Sequence, residues 1–410
     1  TLGTCGATLA AAGSCTIIIK ATPLQVASYS DTLSIDYNNG ASNTSTTVSL
    51  TTKGGTIIDL ASSTNSRCVV FNNGQVKCWG ANTNGELGLE ISSGSSKGDQ
   101  ASEMATNLPF VDLGTGFIAA EISGGASFFC ARSTVGNVKC WGDNSVGQLG
   151  QGDTTSRGIN SGDMGNNLSN INLGAGRTAV KIATGTQFAC ALLDNNDFKC
   201  WGDNTYGQLG IGSSIQQTSP AGPVNFGARY AIDFDLGLGH SCAILDDNTL
   251  TCWGLNSSGQ LGYEDTTIRG TTGGTTPNNN AVVNLGSGRT ANKISVSTAN
   301  TTCSILDDNS LKCWGSNITG KLGQGNTTNI GTSASTMGNF LTAVDLGTGK
   351  SAINVTGTHN SETCTITNTY DLKCWGRGTE GGLGQEALAH LGDNASEMGD
   401  FMVPIDLGSG

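Results

Sequence analysis

Paired cysteines are the residues of this 410-residue sequence with the greatest chemical capacity. Such pairs could bind a metal, exchange thiols and disulfides, or form structural disulfide bonds. Zinc sites use closer Cys-x2-4-Cys spacings and usually four ligands, which disfavours a metal site here. A redox Cys-x-x-Cys is absent, and the three histidines (His240, His359 and His390) do not recur with the pairs. All 14 cysteines fall into pairs ten residues apart: Cys5 with Cys15, Cys68 with Cys78, Cys130 with Cys140, Cys190 with Cys200, Cys242 with Cys252, Cys303 with Cys313, and Cys364 with Cys374.

A hairpin turn centred between the two cysteines would place each pair directly opposite. The residue just past that centre belongs in the left-handed region of a three-residue hairpin loop, where Gly and Asn are favoured. Five of the six pairs after residue 55 have Gly or Asn there, and Tyr370 departs from the pattern. Opposed strand residues lie within disulfide range, so we predict seven structural disulfides. Disulfides persist outside the reducing cytosol, which predicts an extracellular or cell-surface location.

The cysteine hairpins belong to a repeat. Its period is 52 to 62 residues, measured between the tryptophans that follow the second cysteine of each pair. Each period has segments such as 110–116 and 119–125, then the hairpin, then a strand in the motif GQLG, and we expect four short strands per period. A residue that recurs in every repeat is expected to pack between repeats. The alternative is that it forms a sugar-stacking platform. These tryptophans are Trp79, Trp141, Trp201, Trp253, Trp314 and Trp375.

The repeats resemble a known family. The strings CWGDNSVGQLGQGD (140–153), CWGDNTYGQLGIGS (200–213) and CWGLNSSGQLGYED (252–265) are similar to the repeat of RCC1-type (regulator of chromosome condensation) β-propellers. The resemblance spans residues 55–410 and implies an all-β propeller. That family is commonly seven-bladed, but six complete copies are present, so we predict six blades closed by pairing the last strand with the first blade. A seventh blade from missing sequence remains the alternative.

Residues 1–54 do not match the repeat. Their cysteine pair, apolar strand, Pro turn and "SDTLSIDYNNG" resemble the C-terminal half of an immunoglobulin-like domain of the ASPM–SPD-2–Hydin type. A complete domain needs about 100 residues, so the resemblance implies a partial sandwich. Three explanations stay open: the chain is a fragment of a longer one, the segment packs on the propeller, or another subunit supplies the missing strands.

Two weaker patterns involve polar residues. Calcium would suit the oxygens of Asp143, Asn144, Asp203, Asn204 and the loop residues Asp153, Asp163 and Asp393, but turns use the same residue types and no alternating Asp register is present. We therefore predict no cofactor. In a eukaryotic source the Asn-x-Ser/Thr sequences predict surface glycans. They begin at Asn43, Asn167, Asn256, Asn300, Asn317, Asn326, Asn354 and Asn394.

Composition excludes several function classes. The net charge of -12 and the lack of a basic run argue against nucleic-acid binding. No apolar stretch reaches 18 residues, so we expect no membrane insertion. The Gly-rich strings recur with the period and do not join a strand to a helix, so they are not phosphate loops. No residue stands out as a nucleophile or paired base, and we predict that the protein is not an enzyme.

Three functions fit these features. The first is a non-catalytic extracellular structural or adhesive protein that self-associates head-to-tail into a surface fibre through β-strand addition. The alternative is a propeller that binds a protein or glycan on its loops, for example 88–109, 150–170 and 262–280. The third, implied only by the family's name-giving activity, is guanine nucleotide exchange on a small GTPase. The cysteines and the acidity oppose it.

Overall fold

The computed structural model describes residues 55–357 and 361–408, together with the backbone of four strands before them. Leu2–Gly3 pairs with Ile17–Ile18, and Ser28–Asn38 pairs with Asn43–Lys53, in two separate antiparallel ladders. The immunoglobulin-like sandwich predicted for residues 1–54 depends on positions outside the described ones and stays a prediction.

Six three-stranded antiparallel sheets follow in chain order, one for each repeat. Within each sheet the strands are joined by short turns, as the alternation of apolar segments and Gly-rich turns predicts. We call them sheet 1 to sheet 6. Their strands are Ile57–Ser62, Ser66–Phe71 and Val76–Gly80 in sheet 1; Ala119–Gly124, Phe128–Ser133 and Val138–Gly142 in sheet 2; Ala179–Thr184, Phe188–Leu193 and Phe198–Gly202 in sheet 3; Ala231–Leu236, His240–Leu245 and Leu250–Gly254 in sheet 4; Ala291–Val296, Thr301–Leu306 and Leu311–Gly315 in sheet 5; and Ala352–Gly357, Glu362–Thr367 and Leu372–Gly376 in sheet 6.

The prediction of four strands per repeat was wrong. A fourth segment contributes only one isolated bridge per sheet, such as Gly80 with Lys97. The segment 110–116 is not a strand, because its ladder contact is limited to the Val111 amide donating to the Val76 carbonyl. The GQLG motif forms consecutive turns rather than a strand, as the bond from the Gly150 amide to the Gly147 carbonyl shows.

The first strands of all six sheets line one central cavity of about 560 Å³. Consecutive sheets pack on each other around it, and each contact buries one hydrophobic cluster. In every cluster the disulfide face of one sheet meets the first strand and tryptophan of the next, as Cys68, Ile122 and Trp141 do between sheets 1 and 2. This arrangement is that of a propeller whose blades are the six sheets.

The loops between sheets carry the remaining regular structure. No helix in residues 55–357 or 361–408 is long and apolar enough to cross a bilayer. The described helices are short 3-10 turns: Ala105–Asn107, Gly273–Thr275, Pro277–Asn279, Thr379–Gly381 and Gly399–Phe401.

The last residues do not close the ring as predicted. In the described part of the chain, residues 403–408 form no strand, and the Ile405 amide donates to the Leu372 carbonyl of sheet 6 itself. Sheet 1 consists of its own three strands only.

Candidate binding surfaces

Six of the predicted cysteine pairs lie directly opposite each other in the second and third strands of the six sheets. Their Cα atoms are 4.0–4.1 Å apart and their sulfur atoms are bonded. No free cysteine remains among the described residues, so the cysteines hold hairpins together and leave no described thiol for chemistry. The seventh predicted pair, Cys5 and Cys15, lies outside those residues. The bonded pairs are Cys68 with Cys78, Cys130 with Cys140, Cys190 with Cys200, Cys242 with Cys252, Cys303 with Cys313, and Cys364 with Cys374.

The turns between paired cysteines have the predicted geometry. Gly74, Gly136, Asn196, Asn248 and Asn309 all have positive φ angles, which confirms the turn assignment. Tyr370, the departure noted in the sequence, also has a φ of 63°. A bulky residue in the left-handed region is strained, so the turn is imposed on Tyr370 by the hairpin.

Five tryptophans pack between sheets, as predicted. Trp141, Trp201, Trp253, Trp314 and Trp375 are fully buried. The indole nitrogen of each donates to a backbone carbonyl in the GQLG-like turn of the preceding sheet; for example, Trp253 bonds the Gln208 oxygen at 2.8 Å. A buried indole N–H needs such a partner, so these residues are committed to sheet packing and cannot serve as sugar platforms.

Trp79 departs from the prediction of packing between repeats. It is only half-buried, and its indole makes no hydrogen bond within residues 55–357 and 361–408. The physical reason is that no described sheet precedes sheet 1 to supply a carbonyl.

A lysine before the second cysteine is a structural residue that the sequence reasoning missed. It occurs in five of the six sheets, and its ammonium group donates to backbone carbonyls in the loops that precede or follow its own sheet. In sheet 6 the Lys373 Nζ lies 2.8 Å from the Leu346 oxygen and 3.1 Å from the Gly399 oxygen. Burial lowers the pKa of Lys373. The recurring Lys-Cys-Trp string was the available signal. The lysines are Lys77, Lys139, Lys199, Lys312 and Lys373.

The polar residues considered for calcium hold turns. Asn144 accepts the Leu149 amide and donates to the Asp153 carbonyl, while Asp143 accepts the Ser145 amide. In the described part of the chain no group of three or more His, Cys, Asp or Glu is placed to hold a metal ion. Asn204 repeats the role of Asn144 by accepting the Leu209 amide.

Two of the predicted glycan sites are excluded by burial. Asn256 and Asn317 are fully buried and donate their side-chain amides to the carbonyls of Asp265 and Asn326. A glycan would require these amides at the surface. Asn43 lies outside the described side chains. Asn300 is half-buried, and the exposed members of the set are Asn167, Asn326, Asn354 and Asn394.

Three described groups combine burial with a large pKa shift. Burial raises the pKa of Asp235 to about 6, lowers that of His240 to about 3 and lowers that of Lys321 to about 8. Each is bonded to a different structural partner: Asp235 accepts the Val296 amide, the His240 Nε2 meets the Thr302 hydroxyl, and Lys321 donates to the Ala299 carbonyl. These bonds join sheet to sheet or loop to loop and assemble no acid–base pair.

The central cavity is polar. Hydroxyl groups of Ser62, Ser123, Thr184, Ser295 and Thr356 line it with both charge signs from Arg67, Asp235 and Glu362. Ser123 and Ser295 accept backbone amides from the following sheet, at Thr184 and Gly357. Much of this polar lining therefore joins neighbouring sheets.

A groove of about 400 Å³ lies between the loops of sheets 5 and 6. Its lining includes the carboxylates of Asp345 and Asp400 and the ring of Phe401, which is 72% exposed. The hydroxyl and amide of Thr348 donate to Asp400 and lower the pKa of that carboxyl. The groove thus presents a fixed negative charge beside an exposed aromatic ring. Sequence reasoning assigned the loops to binding but not these residues.

The repeats have counterparts among known proteins. Models described as Regulator of chromosome condensation (RCC1) repeat match residues 119–148, 179–208 and 231–260, and also 200–244. The E3 ubiquitin-protein ligase HERC2 of Homo sapiens is 27% identical over 212 residues, which cover 52% of this chain and 4% of that protein. The chain therefore spans a small part of this curated relative.

Solved structures show the same architecture. The crystal structure of human WBSCR16 has a TM-score of 0.65 at 18% identity, covering 82% of this chain and 80% of its own. Yeast RCC1 (Prp20), crystallised bound to Kap60, has a TM-score of 0.64 at 17% identity, covering 82% and 73%. RCC1 repeats are thus confirmed for residues 119–148 and 179–260, and the solved structures support an RCC1-like propeller fold for residues 55–408.

Proposed function

We propose that this propeller is a non-catalytic binding module for a protein partner, which it receives in the groove between the loops of sheets 5 and 6. The observation that carries the proposal is Phe401, a largely exposed aromatic ring on a short 3-10 turn beside two carboxylates. Exposed aromatic residues in grooves are typical anchors of protein interfaces.

Three hydrogen bonds fix the turn that contains Phe401. Lys373 donates to the Gly399 carbonyl, the Gly399 amide donates to the Asp345 carbonyl, and Asp400 accepts from Thr348. These bonds tie residues 399–401 to the loop of sheet 5. A preorganised ring loses little conformational entropy on binding, which favours affinity.

The charge of the groove indicates the chemistry of the partner. Asp345 and Asp400 line the groove, and the whole chain has a net charge of -12. We infer that the partner presents basic side chains around an apolar one, because complementary charge steers association and sets orientation.

The propeller fold is compatible with a protein partner. Yeast RCC1, which shares the fold, was crystallised with Kap60, another protein. The identity of 17% supports the fold alone, so Kap60 is not carried over as a partner. The bonded cysteines favour an extracellular or cell-surface location, where disulfides persist. The fibre function rests on residues 1–54 and stays a prediction, and no residue of this chain supports nucleotide exchange.

Chemical cross-linking in the native extracellular milieu, followed by titration calorimetry with the purified partner, tests this proposal. Phe401→Ser is expected to weaken binding at least tenfold, as loss of a central aromatic anchor costs about 2 kcal/mol. Phe340→Ser is the matched control, because Phe340 is also 69% exposed in the loop of sheet 5 and does not line the groove. Equal binding by wild type and the Phe401 variant would refute the site. Capture of a glycan alone would refute the partner class.

A further inference from the structure

Five hydrophobic clusters join the six sheets. They lie between sheets 1 and 2, 2 and 3, 3 and 4, 4 and 5, and 5 and 6. Sheets 6 and 1 both line the central cavity, through residues such as Thr356 and Leu60. Yet among the described residues no hydrophobic cluster and no backbone–backbone hydrogen bond joins them. We call this place the open seam.

The face that sheet 1 turns toward the open seam is exposed and apolar. Leu60 is 66% exposed, whereas the residues at its position in sheets 2 to 6 are between 1 and 9% exposed. Ile57 is 53% exposed, whereas the alanines at its position are at most 3% exposed. In the other sheets these positions pack on the disulfide face of the preceding sheet. Sheet 1 therefore carries a packing face without a described partner.

The indole of Trp79 shows the same gap. Trp79, whose counterparts are all buried, makes no described hydrogen bond with its indole.

Sheet 6 presents the complementary face. Leu407 is 80% exposed, whereas its counterparts in the five preceding connections, such as Leu113 and Leu346, are at most 5% exposed. Ile366 is exposed, whereas the apolar residues at its position, such as Ile244 and Ile305, are buried. The open seam thus has two apolar walls, each built to pack against another layer of this repeat.

Residues 1–54 directly precede sheet 1 in the chain. Two residues, Gly55 and Thr56, separate them from Ile57, where the first strand of sheet 1 begins. Their length is close to one repeat. Cys5 precedes Cys68 by 63 residues, against 52 to 62 residues between the first cysteines of successive sheets.

The described backbone of this segment adds a second likeness to the sheets. Leu2 pairs with Ile18, and Gly3 pairs with Ile17. This register is centred midway between Cys5 and Cys15, just as each sheet's hairpin is centred between its two cysteines. A disulfide-bonded hairpin presents the kind of face that the counterparts of Leu60 in sheets 2 to 6 pack against.

We propose that residues 1–54 of the same chain occupy the open seam, so that their cysteine hairpin covers Ile57, Leu60 and Trp79 as the hairpin of each preceding sheet covers the next. The segment then serves as an irregular layer that closes the ring. A second copy of the chain is the competing occupant, and the experiment distinguishes the two. The proposal does not depend on the groove between sheets 5 and 6.

The test uses the full chain with a protease recognition sequence inserted between Gly54 and Gly55. After cleavage under native conditions, size-exclusion chromatography at low micromolar concentration shows whether residues 1–54 stay bound. The fragment is expected to co-elute with the propeller in the otherwise wild-type chain and to separate in Leu60→Asp and Ile57→Asp. Ile58→Asp is the matched control, because Ile58 is exposed like Val180, Ile232 and Ile353 at the same position of other sheets. This variant is expected to retain the fragment.

Tryptophan fluorescence gives an independent reading on the uncleaved chain. The difference between wild type and Trp79→Phe isolates the emission of Trp79, which is expected to resist acrylamide in wild type and to become quenchable in Leu60→Asp. Separation of the fragment from the wild-type propeller, or retention by Leu60→Asp, would overturn the proposal. A particle mass that is a multiple of 41.7 kDa, with Trp79 protected only in that multimer, would overturn it in favour of a second copy.

Discussion

Replacing Tyr370 tests whether the hairpin turn holds this residue in the strained left-handed region. Tyr370 has a φ of 63° and is 84% exposed, so its side chain contributes little packing. A non-glycine residue in the left-handed region costs roughly 1–2 kcal/mol, and Asn tolerates that region better than Tyr. Tyr370→Asn is therefore expected to stabilise this turn by about 1 kcal/mol.

The reciprocal change serves as the matched control. Asn309 has the same φ of 63° at the equivalent turn of sheet 5. Asn309→Tyr is therefore expected to destabilise that turn by about 1 kcal/mol. The two variants exchange the same pair of residue types between two turns of the same class, so differences in composition cancel.

Amide hydrogen exchange is the appropriate assay, because it reports local opening even where global unfolding is not two-state. The Thr367 amide, bonded to the Asp371 carbonyl across the turn, reports on Tyr370. Its exchange is expected to slow roughly fivefold in Tyr370→Asn, from the relation of tenfold per 1.4 kcal/mol. Unchanged or faster exchange there, with no loss of protection in Asn309→Tyr, would refute the assigned turn.

Two further changes test the packing of the sheets. Trp253→Phe removes the buried hydrogen bond to the Gln208 carbonyl and is expected to lower the free energy of unfolding by about 2–3 kcal/mol. Trp79→Phe removes no such bond and is expected to lower it by less than about 1 kcal/mol. Equal shifts of the urea midpoint in the two variants would contradict this assignment. The pKa of His240 is lowered to about 3 by burial, so the unfolded chain binds this proton where the folded one does not, and stability is lost as pH falls below about 6.5. His240→Phe places phenylalanine where sheet 3 has Phe188, and it is expected to reduce the loss of stability at acid pH. The assay compares the urea midpoints of wild type and variant at pH 7 and pH 4.5. An equal drop of the midpoint in both proteins would count against this role of His240.

The cysteine hairpins could be predicted because they depend on local rules. Opposition of two residues ten apart follows from the strand period of two and from a turn that Asn248 or Gly136 can adopt. The recurrence of Trp253 and its counterparts predicted packing between repeats for the same reason: a residue required by every interface must recur.

Other features depend on neighbours that the sequence does not reveal. Residues 110–116 are as apolar as a strand, but only one backbone bond to sheet 1 forms, so they remain a connection. Asn256 begins an Asn-x-Ser/Thr glycosylation sequence, but it is fully buried and donates its side-chain amide to the Asp265 carbonyl. Trp79 matches the other tryptophans in sequence and differs because no described sheet precedes it. The exposure of Phe401 depends on the shape of its loop, which is stabilised by the hydrogen bond from Lys373 of sheet 6 to the Gly399 carbonyl.

The paired cysteines, the most reactive residue type of this chain, serve its architecture. Alkylation with iodoacetamide under denaturing, non-reducing conditions, followed by intact-mass spectrometry, tests it most directly. We expect no added alkyl group without reductant and 14 after full reduction, because all 14 cysteines are paired at the same spacing. Alkylation of even one pair in protein purified from its native location without reductant would contradict the claim.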